Sequence, residues 1–128
     1  MFPWINRHAL LLLHGESLVL HGGAPGIRDE GLLESALMRP ENLVAYGKPD
    51  VFDCAAAYAF GLAKNHPFID GNKRAAFLAC GLFLHLNGVR LTATQPDATL
   101  TMLALAAGDL TEETFAAWLR AHTARLAP

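Results

Sequence analysis

Apolar positions recur at helical spacing along the chain, and stretches rich in Gly and Pro interrupt that periodicity. Asn6 is a suitable N-cap for a first helix reaching about Leu20. The run His21-Gly-Gly-Ala-Pro-Gly-Ile-Arg28 reads as a loop. Asp29 then caps a second helix with Leu32, Leu33, Ala36 and Leu37 on one face. Pro40 is expected to end it, with a short helical piece following near residues 42–46. Pro49 and Asp50 open a third, alanine-rich helix over about residues 51–64. A fourth, from Asn72 to Leu86, is apolar on every side and is therefore expected in the middle of a bundle. Asn87-Gly88 ends it, and Val89 to Leu91 reads as a short extended piece. Pro96 starts a fifth helix ending at Gly108, and Thr111, followed by Glu112 and Glu113, starts the last. The pattern predicts an all-α fold: one domain over residues 1–128, a compact bundle of about six helices around a central buried helix.

Composition agrees with that reading. Alanine and leucine supply 22 residues each, against 4 valines and 3 isoleucines, so propensity favours helix over sheet. With 52% hydrophobic and 17% charged residues, the chain has enough apolar surface for a single core. The formal net charge of −2 argues against direct nucleic-acid binding, which draws on a basic excess. Cys54 and Cys80 lie in apolar helical stretches and read as buried free thiols; with no Cys-x-x-Cys pair, a cysteine-built zinc site is excluded. The apolar run near the start, Ala9 to Leu13, is too short for a signal peptide's core. The longest such run, Ala75 to Leu84, is too short for a membrane span. A cytoplasmic location with no membrane partner is the expectation.

One stretch is chemically dense: His66-Pro67-Phe68-Ile69-Asp70-Gly71-Asn72-Lys73-Arg74. It places an imidazole, a carboxylate, a carboxamide, an ammonium and a guanidinium where a loop enters the most apolar helix. A helix start carries unpaired N–H groups and about half a positive charge. Lys73 and Arg74 add full charges at that unfavourable end, so an anion, naturally a di- or triphosphate, is expected to occupy it. Gly71 lets a ligand approach the backbone. Asp70 is suited to Mg²⁺ beside phosphate oxygens. His66 can take a proton from an attacking hydroxyl, and Asn72 can donate to a phosphoryl oxygen. Phe68 and Ile69 read as anchors in the core.

Each of these residues alone has a plainer reading: a hydrogen-bonded His66–Asp70 pair, a solvated Lys73-Arg74 face, an ordinary turn at Gly71-Asn72. Their joint placement at a helix start favours chemistry. His14 and His21 read first as core or solvated histidines, and His85 and His122 have no motif around them. The helix from Asp29, with Glu30, Glu34 and Arg39, reads as an amphipathic packing element.

The nine residues from His66 to Arg74 resemble the core motif of the Fic superfamily, His-Pro-Phe-x-(Asp/Glu)-Gly-Asn-Gly-Arg. Lys73 stands where most members have glycine, which is similar to the death-on-curing (Doc) branch, the toxins of toxin–antitoxin modules. The segments from Gly22 to Pro40 and from Phe83 to Gly88 also resemble that branch, and the likeness covers roughly residues 8–110. It implies a general base at His66, a metal ligand at Asp70, an anion hole lined by Gly71 and Asn72, and phosphate contact at Arg74. It implies ATP and Mg²⁺ as cofactors. Doc proteins with the lysine transfer the γ-phosphate to a threonine of elongation factor Tu; ordinary Fic enzymes transfer AMP. Lys73 leans toward the first activity, and Gly71, where the Doc pattern has alanine, toward the second. A Doc-like fold kept as an antitoxin-bound regulator without turnover is the other class. No Ser or Thr is followed four residues later by Glu, so the inhibitory Fic helix pattern is absent from this sequence. Inhibition is therefore expected from another chain, a Phd-like antitoxin whose disordered tail folds on the toxin.

Overall fold

The computed structural model describes residues 2–127; the single-domain expectation also takes in residues 1 and 128, which lie outside the described residues. Six helices follow one another: α1 (Arg7–His21), α2 (Glu30–Tyr46), α3 (Val51–Asn65), α4 (Asn72–Leu86), α5 (Gln95–Ala107) and α6 (Glu112–Ala121). Strands β1 (Val89–Leu91) and β2 (Thr123–Arg125) pair antiparallel, with Arg90 opposite Ala124. The all-α expectation holds.

Five of the helices start on a side-chain cap. Asn6, Asp29, Asp50, Thr94 and Thr111 each accept a hydrogen bond from an N–H in the first turn. At α3 the cap is reciprocal, because the Asp53 side chain also accepts from the Asp50 N–H. Such caps satisfy N–H groups that have no partner within the helix.

The second helix departs from expectation. It continues through Pro40 as one element to Tyr46. A proline inside a helix removes one hydrogen bond and costs about 3 kcal/mol. Here Leu33, Ala36, Leu37 and Pro40 are all buried on one face against α3, which offsets that loss. The two backbones come close: a Cβ on Gly61 of α3 would lie 3.2 Å from the Ala36 Cα.

The most enclosed helix is α3 rather than α4. Nine of its fifteen residues are buried, from Cys54 to Ala63, and it packs against α2, α4, α5 and α6. Its alanines let neighbours approach on several sides. In α4 six of fifteen residues are buried, and Phe77, Leu78 and Leu82 remain partly open. Uniform hydrophobicity singled out α4, but small side chains mark the axis better, because packing distance depends on side-chain size. Tyr58 of α3 accepts a hydrogen bond from the Ile5 N–H, 3.1 Å away, and packs beside Phe83. Burial pushes its hydroxyl up to about 12. Cys54 and Cys80 are free and buried, as expected, and burial pushes their thiols up to about 11 and about 12. Among the described residues no helix is long and apolar enough to cross a membrane.

The start of α3 is tied to α6 by Arg120, whose Nε donates to Asp50 Oδ2 at 2.9 Å and whose Nη2 donates to Asp53 at 2.8 Å. Partial burial pulls the Asp50 carboxyl up, but Arg120 and the Asp53 N–H outweigh it and hold it below its ordinary 3.8. The stabilisation from Asp50 is therefore complete above that ordinary value and is lost as pH falls through the lower, folded-state one. Asp50→Ala should destabilise by about 1 kcal/mol at pH 7, the typical loss of an N-cap. Urea unfolding should show that difference shrinking as pH falls below 3.8 and the wild-type carboxylate takes up its proton.

Candidate active site

The chain leaves α3 through a strained residue. His66 caps the helix with φ 49° and ψ 54°, the one non-glycine residue with positive φ among the described residues. Left-handed backbone crowds a Cβ against the following carbonyl, so it persists only where surrounding contacts enforce it. Pro67 and Phe68 are buried behind it. Phe68 bridges antiparallel to Ile27 in the loop between α1 and α2. The seam continues on both sides: the Arg28 N–H donates to Pro67 O at 2.7 Å, and the Ile69 N–H to Gly26 O at 3.1 Å. The loop read from Gly and Pro content is thus half of a two-stranded contact with the motif.

At the far end of the motif Gly71 adopts φ 76° and starts α4. This helix alone among the six lacks a side-chain cap, and no acidic residue lies in its first turn. Its first-turn N–H groups and the charges of Lys73 and Arg74 meet in one place, as an anion would require. A cavity of about 400 Å³ opens there, lined by Gly71, Asn72, Lys73, Arg74 and Phe77, with Leu18 and His21 of α1 and Met102 of α5. Arg74 Nη1 donates to His21 Nε2 at 3.0 Å, which orients the guanidinium and requires that nitrogen unprotonated. His66 and Asp70 are exposed and lie outside the cavity lining. A larger cavity, about 650 Å³ between α2, α3 and α6, contains none of the motif residues.

Asn72 makes a contact that the sequence did not announce. Its Oδ1 accepts from the Phe68 N–H at 2.9 Å and its Nδ2 donates to Phe68 O at 3.0 Å. The carboxamide thus closes the loop on itself, and the second Nδ2 hydrogen is not used in that contact. Ile69, expected as a core anchor, is 51% exposed, whereas Phe68 is buried.

Asp70 is held from two sides. The Ala24 N–H donates to its Oδ2 at 2.7 Å, and His14 Nε2 lies 2.8 Å from its carbonyl oxygen. A carbonyl only accepts, so Nε2 of His14 carries the hydrogen. The imidazole is buried and stacks on Phe68, with centroids 3.9 Å apart at 18°. It also lies where a side chain at position 71 would go, since a Cβ on Gly71 would meet Nε2 at 3.3 Å. His14, His21, Ala24 and Arg28 belong to the site's surroundings although no motif marks them; their only sequence signal is the Gly-Gly-x-Pro-Gly loop. His122, in contrast, stacks on Trp118 in the packing of α6. Glu30 and Glu34 pair with Arg7, and Arg39 with Glu112, so that helix face is structural as expected.

Among the described residues no group of three or more His, Cys, Asp or Glu side chains converges on a metal position. One carboxylate beside an open helix start suits Mg²⁺ carried with a nucleotide, because Mg²⁺ binds through one or two carboxylates plus phosphate oxygens.

Comparison with known proteins agrees with this geometry. The profile of the Fic/DOC family matches residues 4–84. The chain is 47% identical over 78 residues to the Toxin Doc of Mycolicibacterium smegmatis, covering 59% of each protein. It is 36% identical over 117 residues to the Protein kinase doc of Escherichia phage P1, covering 91% of this chain and 92% of that protein.

His14→Phe keeps a ring against Phe68 but removes the hydrogen bond to Asp70 O. It should destabilise by about 0.5–1.5 kcal/mol, the net worth of a typical hydrogen bond, measured as a lower urea midpoint with unchanged slope.

Proposed function

The chain belongs to the Fic/DOC family, as a toxin of its Doc branch, and from that premise we propose that it transfers the γ-phosphoryl group of ATP to a protein hydroxyl. The proposed target is a translation factor resembling elongation factor Tu, which makes the protein a Ser/Thr kinase-like phosphotransferase. The observation that carries this reading is the uncapped start of α4, with Lys73 and Arg74 on the rim of a cavity that follows a left-handed histidine. A lysine ammonium is a compact point charge suited to a terminal phosphate. Its place in the cavity wall supports a nucleotide whose terminal phosphate faces the motif.

In this mechanism Leu18, Phe77 and Met102 exclude water from the nucleotide's apolar part. First-turn N–H groups, Lys73 and Arg74 receive phosphate oxygens, and His21 keeps Arg74 in place. Asp70 would hold Mg²⁺, which neutralises phosphate charge when bound. His66 accepts the proton as the substrate oxygen bonds to the γ-phosphorus; the bond from that phosphorus to the bridging oxygen breaks, and ADP leaves. Gly71, which has no side chain, keeps the backbone open for this approach, and Asn72 holds the loop in shape beside it.

Incubating the protein with Mg²⁺, a translation-factor extract and ATP labelled at the α or the γ position tests the reading. Label should pass to protein from the γ position only; label from the α position would replace this proposal with AMP transfer. His66→Ala should lower the rate by about 10²–10⁴-fold, the usual size of a general-base loss. Equal growth arrest by the wild type and that variant would instead favour a regulator without turnover.

A cognate antitoxin of Phd type, with a tail disordered until bound, is the partner this reading implies, and the cytoplasm is the location. Support comes from the outer side of α1, where Val19 is 87% and Leu20 78% exposed. A tail of amphipathic pattern would gain helicity there. Val19→Asp should weaken antitoxin binding at least tenfold in calorimetric titration while leaving the melting temperature unchanged; equal affinity would move the docking surface elsewhere.

A further inference from the structure

The general base proposed above has no hydrogen bond to its imidazole among the described residues, yet its backbone sits in a conformation that needs external support. That support comes from one side chain. Arg28 Nε donates to His66 O at 2.7 Å, and Arg28 Nη2 donates to Asn65 O at 2.9 Å. The same residue's N–H donates to Pro67 O. The carbonyls at 65 and 66 are thus held by the Arg28 side chain, and that at 67 by the backbone N–H groups of Arg28 and Asp29. On the other side, Asn65 Nδ2 donates to Leu32 O at 2.9 Å, so the last turn of α3 is also tied to α2.

We propose that Arg28 is a positioning residue for the reaction: it holds His66 in the left-handed conformation that directs the imidazole out of the fold. The inference rests on the reading of His66 as the base. The chemistry of the guanidinium suits the task. Two N–H vectors in one rigid plane can hold two successive carbonyls at once, which a lysine cannot do. Its positive charge also lies at the C-terminal end of α3, where the helix dipole favours a cation. Among the described residues Arg28 forms no ion pair, so its polar contacts are given to the backbone that carries His66. Arg28 does not line the cavity at α4, so its loss is expected to act on turnover more than on ATP binding.

The test measures Arg28→Ala and Arg28→Lys in the labelled-ATP assay, with guanidinium added to the alanine variant. We expect kcat to fall about 10–100-fold in Arg28→Ala, the scale of a small misplacement of a reacting group. KM for ATP should stay within about twofold, and guanidinium should restore part of kcat to Arg28→Ala but none to His66→Ala. Arg28→Lys keeps the charge and should remain about tenfold slow or slower. Wild-type kcat in both variants, or parallel losses in kcat and KM without rescue, would overturn the proposal. A second readout is independent of turnover: the His66 ring carbon–proton NMR signal, assigned by its absence in His66→Ala, should move in both Arg28 variants. If the wild type transfers no label, the functional reading fails by itself, and the NMR signal still decides whether Arg28 holds His66; an unmoved signal would sink that claim.

Discussion

The close packing of α3 on α4 is the constraint from which the rest of the molecule follows. Ala55, Ala56, Ala57, Ala59 and Ala63 on one helix, and Ala75, Ala76 and Ala79 on the other, are all buried. Small side chains bring helix axes together, and the dense interior that results deforms little. The six residues joining these helices therefore start and end at fixed points. Both ends of this connection use left-handed positions, His66 and Gly71. The residues proposed to react thus stand on a loop whose geometry is set by the core below it.

That arrangement withholds stability at the site and recovers it around the site. An uncapped helix start forgoes about 1 kcal/mol relative to its capped neighbours, and cations in the first turn oppose the dipole by about 0.3–1 kcal/mol each. A left-handed non-glycine residue costs about 1–2 kcal/mol more. The compensation is local: the seam between residues 26–29 and 67–69, the Asn72 carboxamide closing on Phe68, and buried His14 against Phe68 and Asp70. Such strain is what a preorganised phosphate site requires, since donors satisfied within the protein would be unavailable to a ligand.

The elements that were legible in the sequence are those governed by local chemistry. Asn6, Asp29, Asp50 and Thr111 marked helix starts because capping is decided within three residues. The motif from His66 to Arg74 was legible because its charges conflict with a helix N-terminus unless a ligand resolves them. What escaped depends on distant partners. Pro40 stays helical because α3 covers it, and β2 exists because β1 lies beside it. The centrality of α3 was hidden by its alanines, which score low as hydrophobes yet pack closest. Asn72 has a polar side chain whose use could not be read locally; its partner, the Phe68 backbone, is supplied by the turn itself. His14 and Arg28 reach the motif across 56 and 38 positions of chain, and the one local signal is the Gly-rich loop that precedes Arg28.

These distant contacts give α1 two tasks on opposite faces. Inward, His14 holds the carbonyl of Asp70, while Leu18 and His21 form one wall of the cavity. Outward, Leu12, Val19 and Leu20 leave apolar surface in solvent that a monomer gains nothing by exposing. With four of its fifteen residues buried against nine of fifteen in α3, α1 is the more loosely bound of the two. A partner that covers the outer face of α1 would therefore act on the same element that fixes Asp70 and the His21–Arg74 bond. Control from the surface needs no separate relay through the core, because the wall of the site and the exposed face belong to one helix.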